Sequence, residues 1–163
     1  MKVCIEGKNL GLITDAGCPN IADPGSKLIL HAHINNINVI PLVGPSSILL
    51  AMMASGLNGN NFSFNGYLPI DKNLRFKKIK KLESISCKNN QTQIFIETPY
   101  RNKKLYDELL KNLNNKTYLC IAINIGSSEE FIKTKQIYEW KKSGVIIEKK
   151  PAIFIIHNNY IIS

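Results

Sequence analysis

Two turns rich in glycine and proline, each preceded by a short apolar run, constrain the fold of this chain more than any other feature. The first extends from Gly11 to Gly25 (GLITDAGCPNIADPG) and the second from Pro41 to Ile48 (PLVGPSSI). Open α/β sheets bind ligands at the carboxyl ends of their strands, where glycine lets the backbone approach a ligand closely. Two such turns in succession therefore predict a ligand cleft.

The pattern around the turns predicts alternating strands and helices. Residues 10–14 and 39–43 are predicted as buried strands, and residues 26–33 and 46–54 as helices. This alternation favours parallel strands joined by crossover helices. The run at 55–61 (SGLNGNN) interrupts it and predicts a domain boundary, with domains at 1–61 and 62–163. In the second domain a strand is predicted from Phe62, followed by strands at 93–97, 118–125, 129–135 and 152–157 and helices at 74–84, 102–113 and 137–142.

Composition excludes several classes of protein. The 163 residues are 44% hydrophobic and 20% charged, as in ordinary globular proteins. No apolar run reaches the roughly 18 residues of a membrane span, and the N-terminal apolar stretch is too short for a signal peptide. A cytoplasmic protein without a membrane contact is therefore expected. Neither a metal site nor a disulfide framework is predicted, because His31 and His33 lie two apart and the cysteines are scattered over Cys4, Cys18, Cys87 and Cys120.

The formal net charge of +9 is consistent with a nucleic-acid partner. Almost all of the excess is lysine, since Arg75 and Arg101 are the only arginines. An AT-rich genome produces the same abundance of Lys, Asn and Ile without such a partner, so the charge alone leaves both explanations open. The basic amphipathic helix at 74–84 has the same two interpretations, contact with an RNA backbone or a solvated lysine face.

The polar groups of the two turns suit a ligand with hydroxyl and anionic groups. Asp15 could accept hydrogen bonds from ribose hydroxyls or amines, or could cap its own turn. The segment GPSS at 44–47 fits a helix start with free N–H groups at Ser46 and Ser47, which attract an anion. Neither G-x-G-x-x-G nor the Walker G-x-x-x-x-G-K is present, so neither a dinucleotide site nor a nucleoside triphosphate site is predicted.

Taken together, the motifs resemble the tetrapyrrole-methylase superfamily of S-adenosylmethionine-dependent methyltransferases. Within it the chain is most similar to the branch that methylates a cytidine ribose in small-subunit ribosomal RNA. The two turns carry the superfamily resemblance. Three later segments match the branch: FNGYLP at 64–69 for F-x-G-F-L-P, ETPYR at 97–101 for E-S-P-H-R, and EEFIKT at 129–134 for E-E-F-x-R-G.

The resemblance implies two small α/β domains with S-adenosylmethionine in the cleft between them, and usually a homodimer. It assigns the cofactor to residues of both turns, to a strand end and to a later glycine: Ala16, Gly17, Cys18, Ile21, Ser46, Ser47, Glu97 and Gly126. Asp15 joins this set because of its carboxylate. Small-subunit ribosomal RNA is expected to contact Tyr67, Pro69, Arg75, Tyr100 and Arg101.

The chain departs from the family's pattern in three places. Met1 aligns within the first domain, so that domain is expected to be incomplete and to leave a bare sheet edge and exposed apolar surface. Tyr100 stands where the branch usually has His, which keeps a ring and a hydrogen-bonding tip but not the imidazole. Cys18 stands where Thr is common, which removes a hydroxyl donor near the expected cofactor.

Several alternatives stay open at this point. The methyl acceptor could be a tetrapyrrole or another small molecule, although the porphyrin and corrin branches lack the motifs at 64–69 and 97–101. A truncated, non-catalytic remnant could instead bind only RNA or a partner. Glu97 and Arg101 either act on a substrate or form an internal salt bridge, and the aromatic residues at 62, 64 and 67 either stack a splayed base or belong to the core. No residue is identified as the catalytic base.

Overall fold

A computed structural model describes residues 2–147 and 149–158 of the chain. The chain divides into two compact units, Met1–Ser46 and Ser47–Ser163. The predicted domain limits at residues 61 and 62 stay a prediction.

The first unit contains two helices, α1 (Lys2–Ile5) and α2 (Ser26–Ile34). The prediction of a helix at 26–33 is confirmed. The prediction of buried strands at 10–14 and 39–43 is wrong, because neither segment forms a strand and Ile13 and Leu42 are 89% and 88% exposed. A strand requires a neighbour to pair its N–H and C=O groups, and within the described residues no other segment pairs with either one.

The second unit contains the remaining elements, in an order that confirms the pattern predicted from residue 46 onward. Its helices are α3 (Ser47–Ser55), α4 (Lys72–Asn89), α5 (Asn102–Asn112) and α6 (Ile137–Ser143), and a 3₁₀ turn covers Pro99–Arg101. Its strands are β1 (Phe62–Tyr67), β2 (Thr92–Ile96), β3 (Tyr118–Ile123), β4 (Phe131–Gln136) and β5 (Ala152–His157). Helix α4 is longer than predicted, since the Asp71 carboxylate accepts from the Leu74 N–H at 2.8 Å and so caps an earlier start.

The five strands form one mixed sheet in the order β1-β2-β5-β3-β4. β1 and β2 are parallel, β5 is antiparallel to both β2 and β3, and β4 is antiparallel to β3. Therefore β1, β2 and β3 all run in the same direction. We call the edge where these three strands end the carboxyl edge, and the opposite edge the amino edge.

Both faces of the sheet are covered by helices. One face packs in a cluster with α4, α5 and α6, in which Phe95 stacks on Phe154 with ring centroids 6.1 Å apart. Residues of α3 pack on the other face in a cluster with Ile94, Cys120 and Ile155. The sequence assigns α3 to the first domain, whereas its side chains are buried against the sheet of the second unit.

A buried polar network lies at the amino edge. The Thr92 hydroxyl donates to the Asn58 carbonyl at 2.8 Å, and its oxygen lies 3.0 Å from Nδ1 of His157. Nε2 of His157 lies 3.1 Å from Oδ1 of Asn90. Burial lowers the pKa of His157 below its ordinary value.

The buried imidazole predicts a loss of stability in mild acid. As the pH falls below about 6.5, the unfolded chain takes up the His157 proton before the folded chain does. The free energy of unfolding should therefore decrease as the pH falls from 7.5 to 5.5. At higher pH, protonation of His157 should have no effect on it. Urea titrations followed by the fluorescence of Trp140, the only tryptophan, measure this. A His157→Gln variant with the same pH dependence as the wild type would contradict the assignment.

Candidate functional site

The two turns predicted from the sequence lie against each other in the first unit. The thiol of Cys18 is 3.6 Å from the carbonyl oxygen of Pro45 and 3.8 Å from that of Gly44. These distances allow weak hydrogen bonds from sulfur. The first and second turns are thus brought together without the predicted strands.

The first turn contains backbone conformations that L-residues seldom adopt. Asn20 and Ala22 have φ angles of 67° and 58°, and Gly17 has a φ of 74°. Such conformations cluster at ligand sites, where the surrounding structure holds them in place. A Cβ atom placed on Gly17 would meet no other atom within 4 Å, so open space lies in front of this backbone.

Most of the predicted cofactor residues of the first unit are accessible. Asp15, Ala16, Gly17 and Ile21 are exposed, and Cys18 is half-buried. Ser46 is buried, so its side chain is less available to a ligand than the other members of the set. The accessible groups are a carboxylate, backbone amides and one apolar side chain, which suit a ligand with hydroxyl, amine and apolar parts.

In the second unit, three sequence motifs meet at the carboxyl edge. β1 ends at Tyr67, β2 ends just before Glu97, and β3 ends just before the turn that holds Gly126. Hydrogen bonds tie the loops of this edge together, from Asn102 Nδ2 to the Lys150 carbonyl at 2.6 Å and from the Asn124 N–H to the Pro151 carbonyl at 3.1 Å. The topology therefore gathers segments that are far apart in sequence.

Glu97 and Arg101 form the internal salt bridge that the sequence left open. Oε1 of Glu97 accepts from Nε and Nη2 of Arg101 at 3.0 and 2.7 Å, and from the Thr98 N–H at 2.8 Å. The Glu97 side chain is 1% exposed, whereas that of Arg101 is 35% exposed. The carboxylate thus fixes the turn after β2, and the guanidinium keeps one accessible side.

Arg75 lies inside the molecule, not on the basic face of α4. Its guanidinium makes a two-point ion pair with Glu108 of α5, with Nη2 2.7 Å from Oε1, and its side chain is 3% exposed. Nη1 donates to the carbonyls of Pro69 and Ile70 at 3.0 and 2.7 Å. The ion pair raises the pKa of Arg75 and lowers that of Glu108. Arg75 therefore holds the loop after β1, and this use of its donors leaves no face for direct RNA contact.

The aromatic residues divide between core and surface. Phe64 is partly buried and packs on the α3 side of the sheet. Tyr67 and Tyr100 are 56% and 83% exposed; Tyr67 is the last residue of β1, and Tyr100 follows the end of the adjacent parallel strand β2. Pro69 is half-buried in the loop that Arg75 holds. Two exposed rings thus lie at the carboxyl edge.

Gly126 and Ser47 are the remaining predicted cofactor residues. The N–H of Gly126 donates to Oε2 of Glu130 at 2.8 Å within the turn after β3. Helix α3 is followed by a loop that reaches the amino edge at Asn58, so its N-terminus with Ser47 is directed toward the carboxyl edge. Neither position shows a contact that identifies a ligand.

Two contributors to this edge were missed by the sequence analysis. Glu108 was not singled out, because its partner Arg75 lies 33 residues away and no local pattern in α5 distinguishes it from the exposed Asp107. Asn102 is fully buried and its Oδ1 has no hydrogen-bond partner among the described residues. The only sequence signal for Asn102 is its position directly after the ETPYR motif.

Two kinds of feature are absent from the described residues. Within residues 2–147 and 149–158, no helix has both the length and the apolar composition that a bilayer span requires. Over the same part of the chain, no group of three or more His, Cys, Asp or Glu side chains could hold a metal ion.

Comparison with known proteins gives close agreement with curated sequences. The chain is 34% identical over 158 residues to ribosomal RNA small subunit methyltransferase I of Buchnera aphidicola (Schizaphis graminum strain), covering 95% of this chain and 54% of that protein. The protein of the same name from Halalkalibacterium halodurans is 33% identical over 157 residues, covering 95% of this chain and 52% of that protein. The chain is thus similar in sequence to curated proteins of this name. It spans about half the length of these relatives.

Comparison with solved structures shows a similar fold. The crystal structure of diphthine synthase superposes with a TM-score of 0.62 at 18% identity, covering 89% of this chain and 58% of that one. The predicted α/β fold of the tetrapyrrole-methylase type is thereby confirmed. No family model matches the chain.

Proposed function

We propose that the protein containing this chain is an S-adenosylmethionine-dependent methyltransferase, whose substrate is a cytidine ribose 2'-hydroxyl in small-subunit ribosomal RNA. The observation that carries the proposal is the likeness to the curated methyltransferases over 158 residues. In the structure, the motifs within that length are gathered at the two turns and at the carboxyl edge.

The two turns of the first unit fit S-adenosylmethionine. When bound, the cofactor supplies an electrophilic methyl group on a sulfonium centre. Backbone amides at Ala16 and Gly17 and the carboxylate of Asp15 would hold its polar groups, and Ile21 its apolar part. The positive φ angles of Gly17, Asn20 and Ala22 in this largely exposed turn are the feature that supports this placement. Contacts of Cys18, Ser46, Ser47, Glu97 and Gly126 with the cofactor stay predictions.

The carboxyl edge of the second unit fits an unpaired nucleotide. Exposed aromatic rings stack on splayed bases, and each such contact contributes about 1–3 kcal/mol. Tyr67 and Tyr100 offer such rings, and Pro69 lies in the loop that follows Tyr67. The open side of the Arg101 guanidinium can reach a phosphate oxygen. Direct contact of Arg75 with RNA is not part of this proposal.

Positioning is the catalytic contribution that these residues support. A ribose hydroxyl is a weak nucleophile, and alignment with the methyl donor alone contributes on the order of 7 kcal/mol to lowering a barrier. Rigid loops produce alignment, and the Arg75–Glu108 and Glu97–Arg101 pairs fix the two loops that carry Tyr67 and Tyr100. Glu97 acts here as a positioning residue, since its Oε1 already accepts three N–H groups.

Calorimetric titration of the 163-residue protein with S-adenosylmethionine tests the cofactor site. We expect Gly17→Ala to weaken binding about tenfold, equivalent to about 1.4 kcal/mol, because its methyl group occupies the open space. Gly56→Ala is the matched control, since Gly56 also has a positive φ, of 70°, and a Cβ there also meets nothing within 4 Å. Equal weakening by both variants would contradict the placement.

Transfer of radiolabelled methyl groups to unmodified small-subunit ribosomal RNA tests the reaction. Label in a cytidine 2'-O-methyl group is the expected result. Binding of RNA without any transfer would support the non-catalytic alternative instead.

Two further properties belong to the same proposal. We propose a cytoplasmic location, which a ribosomal RNA substrate favours, and a homodimer, which the family resemblance favours. Sedimentation equilibrium of the 163-residue protein should give twice the mass of 18.3 kDa, and a single-chain mass would contradict the dimer.

A further inference from the structure

A row of lysines on the outward face of α4 has no role in the site described above. The residues of α4 that are buried include Arg75, Ile79, Leu82 and Ser86, at helical spacing. Side chains two positions further along point to the opposite side, since each residue advances the helix by about 100°. That opposite row consists of Lys77, Lys81, Ser84 and Lys88, and all four are exposed.

No acidic side chain of α4 balances this row. Glu83 is the only acid in the helix, it is buried, and its carboxylate accepts from Lys80, Asn114 and Thr117. Lys77 and Lys81 lie four residues apart, and like charges at this spacing destabilise a helix. In α5 the same spacing is occupied by the opposite charges of Lys103 and Asp107. A bound anion would offset the repulsion between Lys77 and Lys81.

The row begins close to the carboxyl edge and leads away from it. Helix α4 starts directly after the loop that follows Tyr67, and it ends before β2 begins at the amino edge. The distance along the helix from Lys77 to Lys88 is about 16 Å. Residues 72–112 contain eleven Lys and Arg but only four Asp and Glu, so most of the net charge of +9 lies in this part of the chain.

We propose that the row of Lys77, Lys81 and Lys88 binds the phosphate backbone of the RNA whose reacting nucleotide lies at the carboxyl edge. This inference rests on the proposed function. Lysine contacts to phosphates fix the position of a nucleic acid and carry no sequence information. The row therefore sets the direction in which the RNA leaves the site, and the residues of the edge select the nucleotide.

The salt dependence of RNA binding tests the proposal. The triple variant Lys77→Gln, Lys81→Gln, Lys88→Gln is compared with a control triple, Lys116→Gln, Lys141→Gln, Lys142→Gln, whose lysines are also exposed in the second unit. Binding to small-subunit ribosomal RNA is measured between about 50 and 200 mM salt. Loss of three phosphate contacts should reduce the slope of log K against log salt by about 2. It should also weaken binding to ribosomal RNA and to a scrambled RNA equally, because phosphates are common to both.

The outcomes separate the two proposals. The control triple should keep the wild-type slope, and neither triple should have a melting temperature below that of the wild type. If both triples lose the same amount of salt dependence, or if the triple variant at Lys77, Lys81 and Lys88 loses none, the proposal that this row binds RNA is wrong. Methyl transfer to the ribosomal RNA in that case would still support the proposed function. If RNA binding depends on the row but the wild type transfers no methyl group, the RNA-binding surface is supported and the proposed methyltransferase function is wrong.

Discussion

Replacing Arg75 by Met should destabilise the second unit by about 3–5 kcal/mol, because it leaves the Glu108 carboxylate without its cation and two loop carbonyls without their donor. The side chain of Arg75 is 3% exposed and that of Glu108 is 15% exposed, so water compensates little for the loss. The fluorescence of Trp140, a buried residue of α6, reports unfolding of this unit during urea titration.

Two further variants decide whether the ion pair is responsible. Lys81→Met removes the same charge from an exposed position of the same helix, and it should change stability by less than about 0.5 kcal/mol. Arg75→Met combined with Glu108→Leu should recover part of the loss, since no buried charge is left unpaired. A double variant as unstable as Arg75→Met would mean that the lost contacts to Pro69 and Ile70, and not the unpaired carboxylate, dominate.

Replacing Arg101 by Met should destabilise the second unit by about 2–4 kcal/mol, through the buried carboxylate that it leaves behind. Glu97 is 1% exposed, so only the Thr98 N–H would remain to stabilise its charge. Glu97→Gln in the Arg101→Met background should restore much of the stability, because the amide carries no charge. Urea titration of the four proteins in this cycle gives the coupling energy of the pair.

The chain contains a matched control for this pair. Lys103 and Asp107 have the same i, i+4 spacing, but their side chains are 46% and 55% exposed. Exposed pairs contribute at most about 1 kcal/mol, so Lys103→Met should have little effect. Equal losses in Arg101→Met and Lys103→Met would show that burial of Glu97 is not the cause.

Local patterns in the sequence predicted most of the second unit. Helical spacing identified α5, and continuous apolar runs identified β2, β3 and β5, because these signals depend on neighbours in the sequence. The Glu97–Arg101 salt bridge was among the stated alternatives for the same reason, since the two residues lie one helical turn apart. The order of the motifs also indicated correctly that a family resemblance extends over the chain.

Local patterns could not predict contacts between segments that are distant in the sequence. Arg75 was assigned to RNA because its neighbours are lysines, whereas its partner Glu108 lies 33 residues away on another helix. The segments at 10–14 and 39–43 have the composition of strands, but a strand forms only when another segment pairs with it. The convergence of Tyr67, Glu97 and Gly126 depends on β5 lying between β2 and β3, and no local signal fixes that order.

The direction of the strands has a consequence for the electric field at the carboxyl edge. Helices α3 and α5 both begin toward this edge, and neither has an acidic residue in its first turn. Aligned peptide dipoles place about half a positive charge at each helix N-terminus. The two helices together present about one unit of positive charge that belongs to the backbone. No side-chain substitution removes that charge, so a variant stripped of its exposed lysines should still attract a polyanion weakly to this edge at low ionic strength.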